Sequence, residues 1–148
     1  MRRILLAGFL VSVAIAALGI AALGSGADER RSAVLKLRET AYGRILVNGQ
    51  GRTLYRFGSD GRRLSRCDGA CARTWPPFIV RGLPRRGDGV KARLLGTIRR
   101  PNGKLQLTYR GRPLYFYAHE EARQVLCQNV FEFGGLWLVV DSQGRAVR

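Results

Sequence analysis

Ile4 to Leu23 runs without a charge behind the basic pair Arg2 and Arg3, and past Ala27 the pattern changes character. Apolar positions then come in short runs cut by glycine and polar turn residues, without long helical periodicity. That is the pattern of many short strands. Ala33 to Arg38 reads as an opening strand. Asn48-Gly49-Gln50-Gly51 supplies residues that tolerate positive φ between two apolar runs, a hairpin signal. Pro101-Asn102-Gly103 and Arg110-Gly111 do the same further on. Leu94 to Arg99, Lys104 to Tyr109 and Arg112 to Tyr117 read as a three-stranded meander. Leu136 to Val140 lies between Gly134-Gly135 and Ser142-Gln143-Gly144, as a buried strand between two turns does.

The same stretches repeat with an offset of 60 residues. Gly51-Arg52-Thr53-Leu54-Tyr55 recurs as Gly111-Arg112-Pro113-Leu114-Tyr115. Upstream, Gly43-Arg44-Ile45 aligns without a gap on Gly103-Lys104-Leu105, and Val47 on Leu107. Downstream, Phe57 aligns with Tyr117, Asp60 with Glu120 and Cys67 with Cys127; Trp75 meets Trp137 after a two-residue slip. Tyr55 and Phe57 stand two apart and so share a strand face, as do Tyr115 and Tyr117. The expected fold is all-β: two tandem, pseudo-symmetric antiparallel repeats, about 43–80 and about 103–141, related by a pseudo-twofold axis. They would form a small sandwich or one curved sheet with Tyr55, Phe57, Trp75, Tyr115, Tyr117 and Trp137 on the inner faces. One domain, 28–148, holds both.

The leader is a hydrophobic helix of one of two kinds. Ser25-Gly26-Ala27 places small side chains for a signal peptidase cut before Asp28. The uncharged stretch, about 20 residues, also suffices for an uncleaved anchor. Either way residues 1–27 send the remainder out of the cytoplasm, because the basic end stays inside.

Charge is the strongest compositional feature, with 26 Lys plus Arg against 10 Asp plus Glu. Setting aside Arg2 and Arg3 leaves 24 against 10, or +14. Such a charge points to anionic cell-wall polymers or lipid headgroups as partners. It also fits plain composition, since the basic residues other than Lys36, Lys91 and Lys104 are arginine and are spread along the chain. No basic block with interleaved aromatics suggests a specific nucleic-acid partner.

The residues of the repeat resemble a known family: the bacterial secreted-repeat proteins, predicted envelope lipoproteins with a Tyr-x-(Phe/Trp/Tyr)-x-x-Asp motif. Tyr55-Arg56-Phe57-Gly58-Ser59-Asp60 fits that motif fully. Ser65-Arg66-Cys67-Asp68-Gly69-Ala70-Cys71 followed by Trp75-Pro76-Pro77 is similar to the family's Ser-x-Cys-x-Gly-x-Cys and Trp-Pro-Pro stretch. Gln106 to Tyr109 and Pro113-Leu114-Tyr115 resemble its second-repeat core. The second motif departs in ending on Glu120, the acylated cysteine of a lipoprotein is missing, and Cys127 has no family counterpart. The resemblance implies an extracytoplasmic β-rich domain and supplies no catalytic residue.

In an exported chain Cys67 and Cys71 are read first as a disulfide. Cys127 is then a buried free thiol, an intermolecular bridge, or a partner for Cys67 across the pseudo-twofold. A sharper alternative gathers Cys67, Cys71, Cys127 and His119 as a Cys₃His metal site. His119, the only histidine, lacks a third group to orient it, and no Gly-x-Ser-x-Gly, His-Glu-x-x-His or haem-attachment pattern occurs, so no enzyme and no cofactor are expected. Asp60 and Glu120 are read as turn carboxylates, with Asp60 capping an Asx turn before Gly61 beside Arg62. The function expected is a non-enzymatic envelope protein with a structural or polyanion-binding role. The other hypothesis is redox or metal handling through the three cysteines.

Overall fold

The computed structural model describes residues 34–148; the leader, with its helix and its cleavage site, lies outside them. Ten strands follow in order: β1 (Val34–Thr40), β2 (Gly43–Asn48), β3 (Tyr55–Phe57), β4 (Ile79–Val80), β5 (Arg85–Arg86), β6 (Leu95–Arg99), β7 (Leu105–Tyr109), β8 (Arg112–Pro113), β9 (Val130–Glu132) and β10 (Gly135–Val139). One short helix, α1 (Gly69–Thr74), sits between β3 and β4. No helix among the described residues is long and apolar enough to cross a membrane.

The chain is mostly strand, but it divides among three small sheets rather than a sandwich or a single curved sheet. Their orders are β2-β1-β5, β3-β10-β9 and β4-β7-β6, with β8 also on β7. Many of the strands are only two or three residues long, too short to carry a ladder across the molecule. Isolated bridges join the sheets instead: Ile45 to Asp141, Tyr55 to Tyr115 and Pro77 to Tyr115. The expected meander is present as β6, β7 and β8, with its last arm cut to Arg112–Pro113. Proline at 113 has no N–H to extend a ladder.

The opening strand runs on to Thr40 and folds back on β2, pairing Thr40 with Gly43. Thr40 ties the tip, its Oγ1 accepting the Tyr42 N–H at 3.1 Å and donating to the Gly43 carbonyl at 2.9 Å. At the next turn Asn48 Oδ1 accepts the N–H groups of Gln50 and Arg52, and Gly51 takes φ +86°. Its counterpart, Tyr109 to Arg112, is one residue shorter. The gapless upstream alignment therefore fails across this turn. Leu54 donates to Leu46 and Leu114 donates to Leu107, so Leu46 is equivalent to Leu107 and Val47 to Thr108.

With that correction the pseudo-twofold relates three sets of backbone hydrogen bonds, and they show how the repeats associate. The equivalent tyrosines 55 and 115 bond each other, N–H to carbonyl, at 2.9 and 3.0 Å. Leu46 donates to Val140 at 2.8 Å, and Leu107 donates to Phe78 at 2.9 Å. Gly58 donates to Leu136 and Ala118 donates to Thr74. In each pair one partner comes from each repeat, so the two repeats are interleaved. β2 buries Ile45, Leu46 and Val47 alike because it lies between two cores. Ile45 and Val47 enter an aromatic cluster with Tyr55, Trp75 and Trp137, while Leu46 enters an aliphatic one with Leu35, Leu107 and Leu114.

Candidate functional site

The motif residues converge on the axis. Trp75 and Trp137 stack at 3.9 Å between centroids and 4° between planes. Phe57 stacks on Trp137 at 4.3 Å, and Tyr117 leans on Trp75 at 5.0 Å. Tyr55 meets Trp75 edge-on, as Tyr115 meets Trp137. Both indole N–H groups are satisfied by Glu132, one by its carboxylate at 2.8 Å and one by its carbonyl at 3.2 Å. Of the six inner-face aromatics expected, five are buried; Tyr117 is half-buried beside exposed His119. Pro76 and Pro77 carry the chain past Tyr115, with the Pro76 carbonyl accepting the Phe116 N–H.

Each motif tyrosine bonds the acid of the other repeat. Tyr55 OH donates to Glu120 Oε1 at 2.6 Å, and Tyr115 OH donates to Asp60 Oδ2 at 2.7 Å. The acids also accept equivalent backbone donors: Arg66 N–H on Asp60 and Leu126 N–H on Glu120. The expected Asx turn with Gly61 and the Arg62 pairing are replaced by these longer-range bonds. The Asp60 and Glu120 side chains point into the interior, where solvent does not compete. Burial raises both carboxyl pKa values above the usual range, and burial followed by these contacts raises the two phenols. The Tyr-to-acid spacing of the motif is thus a latch between repeats, a role that a single repeat read alone does not reveal.

Cys67 and Cys71 form a disulfide with Cα atoms 5.2 Å apart, clamping the entry to α1. Cys127 is free and buried, its thiol pushed up to about 11 by burial and then by the charges of Glu120 and Glu132. The Cys67–Cys127 bridge is therefore not made. The Cys₃His grouping is not assembled either: the disulfide takes two of its sulfurs, His119 is exposed, and among the described residues no three His, Cys, Asp or Glu side chains gather as a cation site.

What the fold does assemble is a basic trough. Two concavities of about 590 and 210 Å³ share Arg62, Leu94 and Arg110. Arg56, Arg112 and Arg145 line one, and Arg63 and Arg93 the other. No Asp or Glu lines either part. Asp60, close by, is engaged by Tyr115 and Arg66, and Asp141 pairs with Arg145 at 2.8 Å. The other six trough arginines form no ion pair among the described residues. Arg56 is half-buried, and its guanidinium is held below its usual pKa by burial and then by Arg112 and Arg110. These residues come from four separate segments, around 56–63, 93, 110–112 and 145, so a scan for one basic block along the chain does not find them.

Two segments of the chain, residues 36–78 and 96–141, match a family model described as a secreted repeat of unknown function. No curated protein and no solved structure matches the chain.

Proposed function

The chain belongs to the family of secreted repeats of unknown function, and from that premise we propose that it is a non-enzymatic module of the cell envelope that holds anionic wall polymer in its arginine trough. It acts outside the cytoplasm, as a released product or tethered by its N-terminal segment. The observation that carries this reading is an internal comparison. The pseudo-twofold replaces Arg56 by Phe116, Arg62 by Ala122 and Arg110 by Gln50. It keeps Arg112 as Arg52 and Arg63 as Arg123. The related concavity, lined by Gly51 and Arg123 where its counterpart has Gly111 and Arg63, holds three cations, Lys36, Arg38 and Arg123, against the four of that counterpart, Arg62, Arg63, Arg93 and Arg110. The asymmetry lies at Arg56, Arg62 and Arg110, whose counterparts Phe116, Ala122 and Gln50 are uncharged. Arg56 is held below its usual pKa by burial and then by Arg112 and Arg110, and a bound polyanion offsets that like-charge repulsion.

The test is retention on purified cell-wall material. Wild type binds and is released as salt screens the contact. Arg56→Gln with Arg110→Gln weakens retention, while Lys36→Gln with Arg123→Gln on the related face changes it little. Equal loss from both pairs would show that net charge alone acts and would overturn the reading.

A further inference from the structure

We propose that the trough takes a linear polyol-phosphate chain, several consecutive phosphodiesters at a time; this rests on the wall-binding reading and narrows it. Three features of the trough select that chemistry. First, it is extended over two adjoining concavities that share Arg62, Leu94 and Arg110, with Arg56 and Arg112 lining one and Arg63 and Arg93 the other. Seven arginines spread over adjoining concavities suit a ligand that carries several charges, and guanidinium forks match phosphate oxygens in bidentate pairs. Second, no aromatic residue lines it, only arginine with Leu94, Leu95 and small or hydroxyl residues such as Gly96, Thr97 and Thr108. Strand-binding grooves for nucleic acid hold bases on aromatic platforms; the aromatics exposed here, Tyr42, Phe131 and Phe133, do not line the trough. Third, the charges line a concavity, whereas a bilayer offers its headgroups in a plane that meets only the rim.

The floor is sterically set for a thin chain. A Cβ at Gly96 would sit 2.9 Å from Thr108 Oγ1, and one at Gly111, where φ is +74°, would sit 3.0 Å from the Arg62 stem. Glycine at these places lets Thr108 and the Arg62 stem lie close against the backbone.

The experiment is calorimetric titration of the intact secreted domain with synthetic poly(glycerol phosphate), across about 50 to 200 mM salt. The expected result is polymer binding whose affinity falls with salt, with a log–log slope of about −3 or steeper for four or more neutralised phosphates on a single strand. Glycerol 3-phosphate should bind at least about 100-fold more weakly, because one phosphate recruits only some of the arginines. Arg62→Gln should reduce the slope by about 0.7. Arg56→Gln should weaken binding, and a cooperative thermal unfolding transition of the free variant shows that it is folded. Equal affinity for the monomer, for oligothymidylate, for polyglutamate or for phosphatidylglycerol vesicles would each overturn the proposal, the first by indicating a single-anion site and the others by indicating a different ligand class. If wall retention depends on the trough arginines and poly(glycerol phosphate) does not bind, this narrowing fails and the broader reading stands. If the trough substitutions leave wall retention intact, both fail.

Discussion

Replacing Tyr115 by phenylalanine removes one oxygen and leaves the ring edge-on against Trp137. The loss is then confined to hydrogen bonds, at 2.7 Å to Asp60 and 2.8 Å to Ser65. The Asp60 carboxylate is 5% exposed and keeps the Arg66 N–H as its close donor. A hydrogen bond to a charged group contributes about 1.5 to 3 kcal/mol, and the stranded acceptor places the cost toward the upper part of that range. Protonation of Asp60 caps the loss, since each unit between its pKa and the solvent pH costs about 1.4 kcal/mol. We expect Tyr115→Phe to cost about 2 to 3 kcal/mol at neutral pH, and less near pH 5. Tyr55→Phe should behave alike through Glu120. Tyr109 is the control: its hydroxyl bonds the Lys91 N–H and the Ser142 carbonyl, both neutral, so Tyr109→Phe should cost about 1 kcal/mol with little dependence on pH. Urea unfolding followed by the fluorescence of Trp75 and Trp137 reads all three. With a slope of about 2 kcal/mol per molar, the latch variants should shift the midpoint by about 1 M. Shifts under about 0.3 M for both latch variants, or a loss that does not shrink on acidification, would refute the latch.

Acid sensitivity has a definite sign at the two latch acids. Their folded pKa values are raised by burial, so the fold binds protons that the unfolded chain has released. Their contribution is full below the ordinary carboxyl value of about 4 and is lost as pH rises through the folded values. Relative to Asp60→Asn with Glu120→Gln, wild type should gain stability as pH is lowered from 7 to 5, read from urea midpoints. Removing the short Cys67–Cys71 loop with paired alanines should cost about 2 kcal/mol. Cys127, with its raised pKa, should resist alkylation at pH 8 until urea unfolds the chain, as intact mass would show. Gly135→Ala should cost about 2 kcal/mol or more, because its Cβ would meet Ser59 Oγ and lie 2.6 Å from the Phe57 ring, in a stack with no room to yield.

By itself the sequence determined the all-strand character, the two repeats and the burial of Tyr55, Phe57, Trp75, Tyr115 and Trp137. These follow from local rules: alternation along a strand, glycine at turns, and aromatic volume that must leave water. It also made Cys67–Cys71 the first expectation for a bridge, while the helical turn of α1 is what brings their Cα atoms to 5.2 Å and leaves Cys127 free. Only the tertiary structure decided which strands pair, since a repeat of two or three residues specifies a strand and not its partner. Interleaving follows from the Tyr55–Tyr115 bridge, which aligns each motif tyrosine with the opposite acid. The one-residue difference between the turns at Asn48 and Arg110 is invisible to identity matching, because hydrogen bonds set the register there. The arginine trough is likewise tertiary: Arg56, Arg62, Arg63, Arg93, Arg110, Arg112 and Arg145 come from four separate segments of the chain. Charge acts through space, and it is the folding of those segments onto one face that turns an arginine-rich composition into a site.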